Sequence, residues 1–203
     1  MLRTTLLLFG LLLPLLHTAV RGAEVPHING ADEAPVSDPE IDRSPIWARM
    51  YAQYLFFLGR EMFWPDLDQR ASFQLAVVNW PNLAEELGSF LEGRSIAGMP
   101  VELVTLDADA LAANKQDFTL LFLGGTRQDA ERETLESAIR KWNRKGNRNA
   151  LVITDDQEVE GHDLIFRRLK EGEDLRLCVA AALRSLESKG LELPAAFAKR
   201  QCP

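Results

Sequence analysis

Phe118-Thr119-Leu120-Leu121-Phe122-Leu123 contains one polar residue, Thr119, and is stopped by Gly124-Gly125 before Thr126. A strand with no polar face has to be covered on both sides, as an inner strand of a parallel sheet flanked by helices is. The same pattern spreads outward from it. Upstream, 72–79 (SFQLAVVN) and 101–106 read as two further strands. Between them Pro81 opens a helix with Leu83, Leu87, Phe90 and Leu91 on one face, ended by Gly93, and 107–113 is predicted to add one helical turn or two. Downstream, Thr126 with Asp129 resembles a capping box. Leu135, Ala138, Ile139 and Trp142 give the following helix its core stripe, and 150–154 is a fourth strand.

The flanks complete this frame. Ser44-Pro45 is a helix-start pair, after which Trp47, Met50, Tyr51, Tyr54, Leu55 and Leu58 recur at helical steps, with Gly59 and then Pro65 limiting the end. Beyond 154 the pattern changes. The strand-like runs 164–169 and 175–179 are joined by a charged turn, which predicts a hairpin. A helix over 180–188 ends at Gly190, and a last short one begins near Pro194. The predicted fold class is α/β: a single domain, a mainly parallel sheet with flanking helices, and a C-terminal antiparallel hairpin.

The first 23 residues read as an address. Arg3 precedes an apolar run from Leu6 to Leu16, and small residues follow at Ala19, Gly22 and Ala23. That is a secretory signal pattern, and its apolar centre falls short of the roughly 20 residues of a membrane span. Cleavage after Ala19, Gly22 or Ala23 fits it. Residues 24–44 carry three prolines, six acids and the single base Arg43, the composition of a flexible acidic leader, which puts the domain at 45–203.

The chain of 203 residues is ordinary globular material, 46% hydrophobic and 26% charged, and acidic overall at −7. Removing 1–23 takes away Arg3 and Arg21 but no acid, leaving 21 bases against 30 acids, or −9. Such a balance disfavours nucleic acid and anionic lipid as partners. Export also gives meaning to the only two cysteines, Cys178 and Cys202, an even pair in an oxidising compartment. A bridge would close a loop of about 25 residues, for about 3 kcal/mol in the chain-entropy model. Two free thiols, with Cys178 buried on a strand, are the alternative.

No catalytic constellation emerges. There is no nucleophile elbow, no Cys-x-x-Cys pair, no zinc spacing and no cofactor motif. His162 reads as a turn residue before a strand. Gly124-Gly125 lies at a strand-to-helix junction, where backbone amides can cradle an anion or glycines can simply make the turn. Asp155-Asp156 follows the fourth strand, at the edge where ligands gather in open α/β sheets. The pair reads as a magnesium site lacking an assignable third partner, or as acidic turn residues. Arg140, Lys141, Arg144, Lys145 and Arg148 surround Trp142 and read as a solvated helix end, with a protein or membrane contact as the alternative. Trp64, in Phe63-Trp64-Pro65, reads as core or as an anchor for a ligand or partner.

The order of several short elements resembles the YfiR-type periplasmic proteins. They are Tyr54-Leu55-Phe56-Phe57-Leu58-Gly59-Arg60 running through Phe63-Trp64-Pro65 to Leu75-Ala76-Val77-Val78, then Gly93-Arg94-Ser95-Ile96-Ala97-Gly98-Met99-Pro100. Leu120-Leu121-Phe122-Leu123, Val152-Ile153-Thr154-Asp155-Asp156 and Gly190-Leu191-Glu192-Leu193 follow in sequence. The likeness spans about 45 to 200. Departures are Gly161-His162-Asp163-Leu164, where the family has a Gly-Gly-Met-Ile element, and Leu175-Arg176-Leu177-Cys178, where many members read Phe-Glu-Ile-Asn. The resemblance implies a non-enzymatic periplasmic repressor acting on the periplasmic domain of an inner-membrane diguanylate cyclase or similar sensor, in cyclic-di-GMP and biofilm control. It implies no cofactor, no metal and no catalytic residue, and it leaves a homodimer open. The alternatives are a periplasmic small-molecule binding module around Gly124, Gly125, Asp155 and Asp156, and a metal-dependent hydrolase using the two aspartates.

Overall fold

The computed structural model describes residues 42–147, 149–171 and 174–202. The expected signal peptide, the leader up to 41, and Arg148 of the basic cluster lie outside them.

Helix α1, Pro45–Glu61, starts at the predicted Ser44-Pro45 pair but runs past Gly59. The Ser44 hydroxyl makes no cap; instead the Ser44 N–H donates to Asp42 Oδ1 at 2.8 Å. Gly59 serves packing rather than termination, since a Cβ there would come within 2.9 Å of Ile96 Cδ1. Strand β1 is Phe73–Val78, followed by α2, Pro81–Leu91. A two-residue strand β2, Ser95–Ile96, is an element the sequence reading does not contain. It pairs antiparallel with β3, Met99–Leu106, through a turn whose central residues Ala97 and Gly98 have φ of 50° and 78°. Both central residues at positive φ is the condition of the tight hairpin turn, normally met by Asn-Gly. Then come α3, Ala108–Ala113, β4, Leu120–Leu123, α4, Asp129–Asn143, and β5, Leu151–Thr154. The chain closes with β6, Leu164–Glu171, β7, Asp174–Ala181, α5, Leu183–Ser188, and α6, Ala195–Ala198.

The described strands form one seven-stranded sheet in the order β2-β3-β1-β4-β5-β6-β7. The pairs β3–β1, β1–β4, β4–β5 and β5–β6 are parallel, and β6–β7 is the expected antiparallel hairpin. The single α/β domain, mainly parallel with flanking helices, is what the alternation in the sequence implies. Each inner strand divides its side chains between two cores. Leu75, Val77, Phe122 and Ile153 join α1 and α2 on one face; Ala76, Val78, Leu121 and Val152 join α3 and α4 on the other. All four residues of β4 and of β5 are buried, so their apolar runs are a consequence of double coverage.

Among the parallel strands the chain order steps one way from β1 to β3 and the other way from β1 to β4. The crevice beyond the carboxyl ends of β1 and β4 is therefore the topological switch point, the usual ligand position in a doubly wound sheet. No helix among the described residues is long and apolar enough to cross a membrane.

Candidate functional site at the carboxyl edge of the sheet

Asn79, Gly124, Gly125, Asp155 and Asp156 are the residues next after β1, β4 and β5, so the topology brings them to one edge. Four of the five candidate contacts read from the sequence meet here. The fifth, Trp64, does not. It packs edge-on against Phe73, the first residue of β1, at 5.2 Å, donates its indole N–H to Gly59 O at 2.7 Å, and is buried at the opposite end of the sheet. Its neighbour Phe63, 66% exposed, carries the apolar surface of that turn.

The two glycines are required by close approach. A Cβ at Gly124 would stand 3.0 Å from Val78 O, and one at Gly125 would stand 2.3 Å from Asp156 Cβ. The anion place they create is filled from within: the Gly125 N–H donates to Asp155 Oδ1 at 2.7 Å. Asp155 is held on its other side by Arg43, whose Nη1 lies 2.5 Å from Oδ2. Arg43 Nη2 donates to Gly125 O at 2.6 Å, and its guanidinium carbon lies 4.1 Å above the Trp80 ring. The Asp155 side chain has no exposure, that of Arg43 26%. The only base of the predicted acidic leader is thus seated against the sheet, a contact no local sequence signal announces.

Asp156 takes a different role. Its Oδ1 accepts from the Glu158 N–H at 3.0 Å, closing a turn, and its Oδ2 lies 3.6 Å from Arg132 Nε. Arg132 also meets Glu158 at 2.7 Å and Asp129 at 2.9 Å. Desolvation opposes the charge on Arg132, but Asp156, Glu158 and Asp129 outweigh it, and its pKa is raised. The paired aspartates therefore face two different cations, and no group of three His, Cys, Asp or Glu among the described residues is placed to hold a metal. Thr126 does not form the expected capping box. Its hydroxyl donates to Glu131, and it accepts from the Gln128 N–H at 3.3 Å.

Beside this cluster an open cleft of about 560 Å³ is lined by Asn79, Asp107, Gly125, Thr126, Glu131 and Thr134 among others. Asn79 holds a φ of 58° there, in the left-handed region that asparagine enters more readily than other non-glycine residues. The lining holds acids and no base, which does not suit phosphate. A second cleft, of about 400 Å³, separates the outer face of α1 from the C-terminal tail and is lined by Tyr54, Phe57, Arg60, Glu61, Phe197 and Arg200.

The remaining sequence candidates lie away from this cluster. His162 Nδ1 lies 2.6 Å from Val159 O, inside a turn. Trp142 is buried, stacked on Phe118 at 5.8 Å. Lys145 donates to Ala112 O at 2.8 Å and Asn114 O at 3.1 Å, so that member of the basic cluster ties off the end of α3. Cys178 and Cys202 are joined in a disulfide.

These features define a doubly wound α/β domain whose carboxyl edge carries an internal Arg43–Asp155 ion pair beside an open acidic cleft. A family model described as YfiR/HmsC-like matches residues 48–196, and the chain belongs to that family. A search of curated proteins gives no match. The family is periplasmic, and regulatory rather than catalytic.

Proposed function

We propose that this chain is exported by its N-terminal signal segment and acts in the periplasm as a non-enzymatic regulator. It binds and represses the periplasmic domain of an inner-membrane diguanylate cyclase or similar sensor protein. The observation that carries this reading is the family match, which covers the folded body almost from the start of α1 to α6. The disulfide is consistent with an oxidising compartment. Exposed apolar surface on the stretch 57–63 supports it, Phe57 and Phe63 being 42% and 66% exposed beside the aromatic cleft. Binding represses only if it favours the inactive state of the partner over the active one.

The test is capture from detergent-solubilised membranes with the tagged chain, together with cellular cyclic-di-GMP. A diguanylate cyclase retained on the column, and cyclic-di-GMP rising on deletion, is the expected result. Recovery of no membrane protein removes the reading. A small-molecule binding module is the second reading, favoured by the open cleft at the switch point. A metabolite that raises the melting temperature as ln(1 + [L]/Kd) would support it.

A further inference from the structure

Three groups converge on Arg43 in the arrangement that recognises a planar cation. The Asp155 carboxylate offers Oδ2 at 2.5 Å and Oδ1 at 3.4 Å to the two terminal nitrogens. Gly125 O accepts at 2.6 Å. The Trp80 ring lies under the guanidinium at 4.1 Å. Forked carboxylate contact and stacking on an indole face favour guanidinium over ammonium. The receiving groups all belong to the sheet edge, whereas Arg43 lies before α1, outside any helix or strand.

A second observation marks the same place. Among the described residues, buried polar side-chain atoms without a hydrogen-bond partner include Ser44 Oγ and Trp80 Nε1. Ser44 adjoins Arg43 and Trp80 touches it, so polar capacity is left over around the guanidinium. Buried polar groups are otherwise nearly always satisfied.

We propose that the carboxyl edge at Asp155, Gly125 and Trp80 is a guanidinium-binding site, filled in cis by Arg43 and able to take an alkylguanidinium or an arginine side chain in its stead. The chain's own arginine then acts as a competitor that sets the affinity for any external one. This inference does not depend on the partner proposed above, because its test uses the isolated chain.

The experiment compares the full chain with R43G and with R43G/D155N, each titrated with ethylguanidinium, methylammonium and the capped peptide acetyl-Gly-Arg-Gly-amide. R43G alone is expected to melt about 10 °C lower than the parent. Millimolar ethylguanidinium is expected to recover several degrees in R43G, with methylammonium recovering less. Neither is expected to shift the parent or the double variant. Calorimetry should give at least tenfold weaker binding to the parent than to R43G. Rescue by the peptide as well as the small ion assigns the site to a protein arginine, and rescue by the small ion alone assigns it to a free alkylguanidinium. An equal effect on all three chains, or none on R43G, overturns the proposal. If R43G does not fold unaided, its refolding yield is measured with each additive. Recovery with ethylguanidinium but not methylammonium supports the site, and recovery with neither overturns it.

Discussion

The two ends of the folded body are tied to the sheet by different chemistry. The entering segment is held at the carboxyl edge by an ion pair between Arg43 and the fully buried Asp155 side chain. The leaving segment is held at the last strand of the sheet by a disulfide between Cys178 and Cys202, 24 positions apart. Around that bond the Val179 N–H donates to Arg200 O at 2.8 Å and the Cys202 N–H donates to Val179 O at 3.1 Å, so the tail lies along β7 as a short parallel bridge. A terminal strand presents unpaired backbone groups that invite pairing with another chain, and the tail covers part of them. The central tie takes its strength from burial and geometry and can exchange. The edge tie takes its strength from a covalent bond and yields only to reduction.

The largest effect is expected from breaking the central tie on one side. Arg43→Ala leaves a carboxylate in the sheet edge with, among the described residues, the Gly125 N–H as its remaining donor, and removing one partner of a buried pair costs about 3–5 kcal/mol. Urea denaturation measures it. The double variant Arg43→Ala/Asp155→Ala should recover part of the loss, since the stranded charge goes with its host. A cost below about 1 kcal/mol would place the pair with ordinary surface ion pairs.

Cutting the edge tie comes next. Cys178→Ala/Cys202→Ala is expected to cost about 3 kcal/mol, the loop-closure entropy of a loop of this length. Its signature is local. Amide exchange at Val179 and Cys202 should accelerate, while Gly125, whose N–H serves Asp155, should keep its protection. The two losses should add within about 0.5 kcal/mol, because the ties share no partner. A larger coupling would show that the sheet transmits strain between its centre and its edge.

A third change tests the bed of the central tie without touching either charge. Gly125→Ala puts a methyl group 2.3 Å from Asp156 Cβ, a separation side chains do not sustain. The backbone must shift, withdrawing the carbonyl from Arg43 and the N–H from Asp155, at a cost of about 1–3 kcal/mol. Gly88→Ala, where the added methyl would meet only Leu103 Cδ2 at 3.7 Å, is the matching control in a helix. Thermal melts of the pair separate crowding at the site from a general penalty for losing glycine.

How much of this is legible from sequence follows from what each feature depends on. The doubly covered strands announce themselves, because 120–123 and 151–154 have no polar face to hide. The disulfide is legible as an even count of cysteines in a chain that reads as exported, and the hairpin of β6 and β7 as two runs about a charged turn. Strand β2 is not legible, because two residues carry no periodicity and Ala97-Gly98 does not resemble the usual turn pair. Gly59 misleads for a related reason: a glycine in a helix reads as an end, and only the position of Ile96 in space shows that it is a point of contact. The candidate site is half visible. Asp155, Asp156 and the glycines can be placed at one edge from the alternation alone, but Arg43 lies 112 positions from Asp155, in a segment whose composition argues for no structure at all. Trp64 shows the converse, its aromatic setting compatible with surface or core until Phe73 and Gly59 close around it.

The smallest expected effect distinguishes the two ties by pH. Tyr51, on α1, donates its hydroxyl to Phe166 O at 3.2 Å and packs edge-on against Trp80 at 5.1 Å, one ring away from Arg43. Burial pushes its phenol well above the ordinary value, the nearby Asp155 charge pushes the same way, and Arg168 and Arg43 oppose them. The folded chain therefore keeps this proton where the unfolded chain releases it. Its contribution is complete below pH about 10, the ordinary tyrosine value, and drains away as pH rises through the higher folded value, at about 1.4 kcal/mol per pH unit. Melting curves between pH 9 and 11 should fall more steeply for the parent than for Tyr51→Phe, which has no proton to lose. Cys178→Ala/Cys202→Ala should keep the parent's slope at a lower level throughout. If Tyr51→Phe and the parent fall in parallel, the alkaline limit lies elsewhere in the chain, and the central tie is insulated from the titration of Tyr51.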